Sequence, residues 1–138
     1  MSSIVVDAGP LIALFDGDDR YHHRVVQFVR DCRASLITNF PVLTEATFLL
    51  RFSVEAQRDF LWWAHKSLEI DEDTSADLPE IVGLLEKYRD LPADFADVSL
   101  VALANRLGVS RVASVDREFA IYRLSGKRHF QNVFLLGD

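Results

Sequence analysis

The sequence predicts an α/β protein, a three-layer α/β/α sandwich with a mainly parallel central sheet of about five strands. Short β-branched runs alternate with longer helical patterns along the chain, which is typical of a parallel sheet with helices on both faces and right-handed crossovers. The first run shows no alternation of apolar and polar residues, as in a strand that is buried on both faces. The chain has 138 residues, of which 49% are hydrophobic, so we expect one domain spanning residues 1–138.

The predicted elements follow one another without a linker or an internal repeat. Strand-like runs lie at 3–7, 35–39, 67–71, 109–116 and 132–136. Helical patterns lie at 11–15, 21–33, 41–51, 55–66, 76–88 and 94–107, and a short turn or helix lies at 117–122. Ala8, Gly9 and Pro10 are expected to turn the chain between the first strand and the first helix.

The helix predicted at 94–107 is the organising element of the chain. Asp94 provides a start signal, the following residues are almost all apolar, and Gly108 ends the run. A helix that is apolar on most of its circumference is buried on more than one side. Asp97 then lies in the first turn, where the helix dipole favours negative charge. In a purely structural interpretation, Asp94 is the N-cap and Asp97 its capping-box partner.

The net charge of −6 argues against a protein that coats nucleic acid by charge alone. It is compatible with an enzyme that acts on nucleic acid, because metal ions can offset acids gathered in one cleft. The N-terminus lacks the basic region of a signal peptide, and no apolar run approaches the length that spans a bilayer. We therefore expect a soluble, cytoplasmic protein.

Several carboxylates lie where a parallel sheet gathers its ligands, at the carboxyl ends of the strands. Asp7 ends the first predicted strand and Asp116 ends the fourth, while Glu45 and Asp97 lie on neighbouring helices. Carboxylates that converge repel one another unless a cation is bound, and Mg²⁺ or Mn²⁺ prefers oxygen ligands. In the structural alternative, Asp7 and Asp116 cap helices and Glu45 pairs with a cation such as Arg51.

Motifs for other chemistries are missing from the sequence. The histidines and the single cysteine lack the spacing of a zinc site. No glycine-rich phosphate loop and no Gly-x-Ser-x-Gly elbow is present. Metal-assisted hydrolysis is the chemistry that remains.

Four motifs, taken together, resemble those of the PIN domain family, and the pattern is similar to the VapC-type toxins of prokaryotic toxin–antitoxin pairs. The motifs are Ile4-Val5-Val6-Asp7-Ala8-Gly9-Pro10-Leu11, Thr44-Glu45-Ala46, Phe95-Ala96-Asp97-Val98-Ser99-Leu100-Val101-Ala102 and Ser114-Val115-Asp116-Arg117-Glu118-Phe119. The resemblance covers essentially the whole chain. It implies an α/β/α fold whose acids bind Mg²⁺ or Mn²⁺ and hydrolyse phosphodiester bonds in RNA.

Carried over residue by residue, the resemblance implies that Asp7, Glu45, Asp97 and Asp116 are the metal-binding and catalytic acids. Ser114 matches the hydroxyl residue that often precedes the last acid by two positions. Asp94 has no fixed counterpart and is expected to cap the helix or to support the ligands. The family also implies a homodimer and a small antitoxin that blocks the cleft. RNA affinity is expected from basic residues around the rim, namely Arg20, Arg24, Arg117, Lys127 and Arg128.

Two other functions remain open at this point. A PIN-like module can retain the acids and bind nucleic acid or protein without catalysis. A receiver-like signalling domain would accept phosphate on an aspartate at a strand end. The receiver interpretation needs paired acids after the first strand, whereas Asp7 is followed by Ala8 and Gly9.

Overall fold

The computed structural model describes residues 2–134, in which a five-stranded sheet lies between two layers of helices. The strands are β1 (Ser3–Val6), β2 (Ser35–Asn39), β3 (Glu69–Asp71), β4 (Arg111–Ala113) and β5 (Gln131–Asn132). Their order is β3-β2-β1-β4-β5, and every neighbouring pair is parallel. The predicted α/β/α class with a parallel sheet of about five strands is confirmed.

Six α-helices occur within the described part of the chain. They are α1 (Ala8–Phe15), α2 (His22–Asp31), α3 (Phe40–Leu49), α4 (Val54–Ser67), α5 (Thr74–Lys87) and α6 (Phe95–Leu107). The chain proceeds from β1 to β3 toward one edge of the sheet and from β4 to β5 toward the other. Contacts join α1 to α2, α3 and α4, and α5 to α6. Right-handed crossovers in opposite directions along the sheet predict that these two groups cover opposite faces, and α3 and α6 also contact each other.

Successive strands are added to the sheet in one direction from β1 and in the opposite direction from β4. These two strands are parallel neighbours, so the switch in strand order lies between them. Val6 pairs with Ala113, and the Asp7 N–H donates to the Ala113 carbonyl at 3.0 Å. The residues that leave these strands, Asp7 and Ser114, therefore emerge side by side. A crevice at such a switch point is where parallel sheets bind ligands.

Helix α6 forms the centre of the core, as its composition predicts. All nine residues from Ala96 to Ala104 are buried, and the helix contacts α3, α5 and β1. It ends at Gly108, whose φ of 68° is left-handed and suits glycine. None of the helices within residues 2–134 is long and apolar enough to cross a membrane.

Arg106, in the last turn of α6, fixes this helix to its neighbours. Its guanidinium donates to Asp71 at the end of β3, at 2.6 Å, and to the buried carboxylate of Asp77 on α5, at 2.9 Å. The two carboxylates also raise the pKa of Arg106, so the guanidinium stays charged. The C-terminal end of α6 is thereby held against both β3 and α5.

Several predicted boundaries are wrong. Ala8, Gly9 and Pro10 form the first turn of α1 instead of a preceding turn, because Asp7 caps the helix and a proline is tolerated where backbone N–H groups need no partner. Strand β4 ends at Ala113, three residues short of the predicted end. The last strand begins one residue earlier than predicted, and residues 135 and 136 of its predicted range lie outside the described residues.

Gly9 permits the close approach of α1 to the segment that follows β4. A Cβ atom added at Gly9 would collide with Cγ2 of Val115. Valine has a stiff side chain that cannot rotate freely out of the way. The contact therefore requires a glycine at this point of α1, next to Asp7.

We expect Gly9→Ala to lower the free energy of unfolding by about 1–3 kcal/mol, as overpacking of a core usually does. Urea denaturation measures the change. Shortening the obstructing side chain should relieve the strain, so Gly9→Ala/Val115→Ala should lose less stability than the two single changes together.

Gly83→Ala is the matched control, because nothing lies within 4 Å of a Cβ atom at Gly83 of α5. It should raise the stability by about 0.4–1 kcal/mol through a less flexible unfolded chain. A Gly9→Ala variant as stable as the wild type would contradict the close contact.

Candidate metal centre

Asp7 leaves the end of β1 and is only 4% exposed. Its Oδ1 accepts a hydrogen bond from the Ala8 N–H at 2.8 Å, so Asp7 does cap α1 as the structural interpretation proposed. Its Oδ2 accepts a second hydrogen bond from the Ser114 hydroxyl at 2.9 Å. Burial raises the pKa of Asp7 above its ordinary value, although both hydrogen bonds favour the ionised form.

Glu45 lies in the second turn of α3 and is half-buried. The helix is capped by Asn39, whose Oδ1 accepts a hydrogen bond from the Val42 N–H at 3.1 Å. Arg51 does not neutralise Glu45, because its guanidinium donates to the Phe48 carbonyl and lies 3.9 Å from the centroid of the Phe48 ring. The proposed Glu45–Arg51 pair is therefore absent from the described structure.

Asp97 lies in the first turn of α6 and is 7% exposed. The Asp94 carboxylate accepts a hydrogen bond from the Asp97 N–H at 2.8 Å, which confirms Asp94 as the N-cap. This bond uses the backbone of Asp97 and leaves its carboxylate available to neighbours outside the helix. Cap and first turn together direct the acidic end of α6 toward the crevice beside β1.

Asp7, Glu45 and Asp97 converge, each with one carboxylate oxygen within 4.8 Å of the others. No ion pair among residues 2–134 joins any of them to a lysine or arginine. Burial, followed by repulsion from Asp94, raises the pKa of Glu45 to about 7. Burial, followed by repulsion from Asp7, raises the pKa of Asp97 to about 8. The three acids therefore form a cluster of unbalanced negative charge.

Asp94 borders this cluster as well as capping α6. Its side chain is within hydrogen-bonding reach of Glu45, and its charge acts on Asp7, Glu45 and Asp97. Asp94 therefore lies beside the three acids. Its role in supporting them remains a prediction.

Asp116 lies outside the group of three acids, although the sequence places it at the same rim. Its Oδ1 accepts a hydrogen bond from the Glu118 N–H at 2.9 Å, and it caps the 3₁₀ helix Arg117–Ala120. The Asp116 N–H donates to the Ser114 hydroxyl at 2.8 Å, and that hydroxyl donates in turn to Asp7. The backbone of Asp116 is thereby connected to the cluster, while its carboxylate caps a helix.

Asn132 holds Ser114 in place and was missed by sequence reasoning. Its side-chain amide donates to the Ser114 carbonyl at 3.0 Å, and its Oδ1 accepts a hydrogen bond from the Ser114 N–H at 3.3 Å. Both backbone groups of Ser114 are therefore bound to one side chain on β5. The sequence contains no signal for this role, because the contact depends on the pairing of β4 with β5.

Asn39 and Ser99 form a second buried connection that sequence reasoning missed. The Asn39 amide donates to the Ser99 hydroxyl at 3.1 Å, and this hydroxyl donates to the Ala96 carbonyl at 2.7 Å. The bond joins the start of α3 to the first turns of α6, which brings Glu45 and Asp97 together. Part of this role was detectable, because an asparagine just before a proline-containing first turn is typical of an N-cap.

The basic residues predicted at the rim differ in their surroundings. Arg24 donates to the Phe134 carbonyl at 2.9 Å, so its guanidinium is used within the fold. The other four residues are exposed, namely Arg20, Arg117, Lys127 and Arg128. Among them, Arg117 directly follows Asp116 in the sequence. Contact of these residues with RNA remains a prediction.

The donor set suits a small, hard divalent cation. All three converging groups are carboxylates, and oxygen ligands of this kind are preferred by Mg²⁺ and Mn²⁺ over softer metals. Mg²⁺ keeps several waters and needs only a few protein ligands. Burial and then repulsion raise the pKa values of Glu45 and Asp97, and a divalent ion would offset the repulsion.

We expect the melting temperature of the metal-free protein to fall as the pH rises from 5 to 9. The folded protein keeps protons on Glu45 and Asp97 up to pH values of about 7 and 8, whereas the unfolded chain loses them near the ordinary pKa values. Each proton retained in this way lowers the stability by at most about 1.4 kcal/mol per pH unit. Thermal denaturation in EDTA measures the slope.

Asp97→Asn is the control, since it removes one titrating group and its repulsion of the others. Its melting temperature should depend less on pH than that of the wild type over the same range. A wild-type melting temperature that is constant or rises between pH 5 and 9 would contradict the clustering of these acids.

Comparison with known proteins identifies relatives of this chain. A sequence model described as the PIN domain matches residues 4–124. The chain is 25% identical over 131 residues to ribonuclease VapC26 of Mycobacterium tuberculosis, a match that covers 92% of this chain and 97% of VapC26.

Solved structures of the same kind share the fold. The crystal structure of VapC20 of Mycobacterium tuberculosis, a toxin that cleaves the sarcin–ricin loop, matches with a TM-score of 0.78 and 20% identity, covering 86% of this chain and 93% of VapC20. VapBC2 of Rickettsia felis, solved with a DNA fragment from its promoter, matches with a TM-score of 0.63 and 13% identity, covering 94% of this chain and 98% of the matched chain.

The family match extends from β1 through the segment after β4, and it includes all three converging acids and Asp116. Four of the five parallel strands and the acidic crevice at the switch point lie within this segment. The chain therefore belongs to the PIN domain family.

Proposed function

We propose that this chain is a Mg²⁺- or Mn²⁺-dependent endoribonuclease that hydrolyses phosphodiester bonds in RNA, and that it acts as the toxin of a VapBC-type pair. The observation that carries the proposal is the convergence of Asp7, Glu45 and Asp97, with one oxygen each within 4.8 Å and no cationic partner among residues 2–134. A cluster of buried acids without a counter-charge is suited to a bound cation. The names of VapC26 and VapC20 support RNA cleavage as the reaction.

In this proposal Asp7, Glu45 and Asp97 hold the ion, directly or through water. When bound, a divalent ion polarises a phosphodiester oxygen and makes water more acidic. Glu45 is the least buried of the three acids and is best placed to orient the attacking water and accept its proton. Asp116 is proposed to hold the same ion or to help bind a second one, and its backbone fixes the Ser114 hydroxyl that donates to Asp7.

We propose that RNA is bound through its phosphates by exposed basic side chains at the rim. Arg117 is adjacent in sequence to Asp116. This favours Arg117 over Arg20, Lys127 and Arg128, which lie further from Asp116 along the chain. Arg24 is the weakest candidate, because its guanidinium already binds the Phe134 carbonyl. Contacts of this kind make affinity fall with rising salt.

The proposed partners are a cognate antitoxin and a second copy of the chain, in the cytoplasm. The similarity to a VapBC structure supports the antitoxin. Support for a homodimer comes from exposed apolar side chains on α3 and α5, which are Phe40, Phe48, Leu49, Leu78, Val82 and Leu85. Apolar residues of this size are typical of the buried centre of an interface.

We expect Asp97→Asn to abolish Mn²⁺ binding and to lower RNA cleavage by more than the roughly 10–100-fold loss that follows removal of a group that only supports a metal ligand. Calorimetry with MnCl₂ and gel assays on structured RNA, with and without EDTA, measure the two effects. Asp59→Asn is the control, because Asp59 is exposed on α4 and pairs with Arg58 at the surface. It should behave as the wild type.

Full cleavage by a pure Asp97→Asn preparation would defeat the proposed site. A wild-type protein that binds Mn²⁺ and RNA without cleaving would instead favour the non-catalytic binding module.

Expression of the wild-type chain in a bacterial host should arrest growth, with decay of specific RNA molecules, if the chain is a toxin. Expression of Asp97→Asn at the same level should not, because the proposed ion site is lost. Growth curves and RNA gels measure the outcome. Equal growth arrest by both proteins would show that the acidic cluster does not cause the toxicity.

A further inference from the structure

An open cavity of about 680 Å³ lies beside the three converging acids. Glu45 of that cluster lines it, and so does Asp94, the cap of α6. The rest of the lining comes from one face of α3 and from the first residues of α5 and α6. Cavities that bind small ligands have volumes of roughly 300–1,000 Å³, so this one has room for a chemical group of that size. The cavity and the metal centre adjoin each other, with Glu45 common to both.

Three phenylalanine rings line this cavity and remain exposed. Phe40 is the first residue of α3, Phe48 lies about two turns further along the same helix, and Phe95 is the first residue of α6. Their exposed fractions are 52%, 58% and 45%. Exposed apolar side chains that cluster in one place mark interaction sites, because their burial against a partner is favourable. The cavity is therefore suited to an occupant with apolar faces.

The charges around the cavity favour a neutral group in its interior. Among the described residues, no lysine or arginine lines it, and its two charged residues are the acids Glu45 and Asp94. A bare phosphate would be repelled by both. Arg51 places a positive charge next to the cavity, because its guanidinium lies 3.9 Å from the centroid of the Phe48 ring. No ion pair within residues 2–134 joins Arg51 to an acid.

An RNA strand matches this order of groups. In the proposed function one phosphodiester lies at the ion, and the base attached beside it is flat, uncharged and apolar on its faces. Unpaired bases stack on aromatic side chains of proteins that bind RNA, and arginine binds the phosphates between them. A second copy of the chain seated inside the cavity would cover Glu45, which the RNA has to reach. The arrangement therefore favours RNA over protein as the occupant.

We propose that this cavity is a subsite for one unpaired nucleobase next to the bond that is cut, and that the base stacks on the ring of Phe95. Of the three rings, Phe95 is nearest in sequence to Asp94 and Asp97. Arg51 is placed to bind the phosphate beyond this base. The inference rests on the proposed function and adds to it a position at which the substrate is held.

Phe95→Ala tests the proposal without altering an acid. We expect kcat/KM for a single-stranded RNA oligonucleotide in MnCl₂ to fall about 5–150-fold, the loss that removal of one stacking partner usually causes. Phe95→Trp keeps an aromatic face and should restore most of the activity. The affinity for Mn²⁺, measured by calorimetry with MnCl₂ alone, should be unchanged in both variants, because the side chain carries no oxygen ligand. Wild-type kcat/KM in Phe95→Ala would overturn the proposal.

Abasic substitution of the RNA identifies the base that occupies the cavity. In a series of oligonucleotides that each lack one base near the cut, we expect one position to lose about 5–150-fold in kcat/KM with the wild type. The same abasic change should cost little more in Phe95→Ala, since the stacking is already lost. Fluorescence anisotropy with Asp97→Asn, alone and combined with Phe95→Ala, measures the same losses as binding affinities. Equal abasic losses with and without the Phe95 ring would overturn the proposal.

Phe52→Ala is the matched control, because Phe52 is 61% exposed and lies outside the lining of the cavity. It should cut RNA as the wild type does. A loss of kcat/KM equal to that of Phe95→Ala would indicate a general effect of exposed rings and would contradict the subsite.

Light scattering separates the base subsite from an interface between copies of the chain. Phe40 and Phe48 belong to the surface proposed for the homodimer, whereas Phe95 does not, so Phe95→Ala should keep the molar mass of the wild type. A monomeric Phe95→Ala beside a dimeric wild type would assign the cavity to a second copy and overturn the inference. A wild type that cuts no RNA in MnCl₂ would sink the proposed function, whereas one that cuts RNA equally well without the Phe95 ring would sink this inference alone.

Discussion

Electrostatic repulsion between Asp7, Glu45 and Asp97 is the constraint on which the arrangement of this structure depends. The three carboxylates come from the end of β1, from α3 and from the start of α6, and they meet with oxygens within 4.8 Å. Such a cluster disfavours folding, and folded proteins have only a small margin of stability. It persists because the surrounding structure determines the three positions independently, through the parallel sheet and the buried helix α6.

Two features of the fold reduce the repulsion without removing it. Asp7 and Asp97 lie at the N-terminal ends of α1 and α6, where the helix dipole and free N–H groups favour negative charge. Glu45 lies in the second turn of its helix and lacks this compensation, but it is the most exposed of the three. The remaining excess of charge makes the crevice suitable for a divalent ion. The hydrogen bonds of Ser114 with Asp7 and of Asn39 with Ser99 hold the elements that carry the acids in position.

Local sequence features predicted the fold well where the physical cause was local. The unbroken apolar pattern of α6, its Asp94 cap and its terminal Gly108 are all observed, because capping and burial depend on residues within a few positions of one another. The same reasoning failed at Pro10 and at the end of β4. A proline signals both a turn and the first turn of a helix, and the length of a strand depends on the partner that pairs with it.

The sequence by itself determined the fold class and the buried helix α6 with its Asp94 cap, because these depend on the order of the elements and on residues within a few positions of one another. It also predicted that carboxylates gather at the rim of the parallel sheet. Only the tertiary structure decided which acids meet. It brought Asp97 to Asp7 and Glu45 through the contact of α3 with α6, and it left Asp116 as a helix cap. The role of Asn132 likewise depends on a contact between elements distant in the chain, and no local pattern encodes the distance between such side chains.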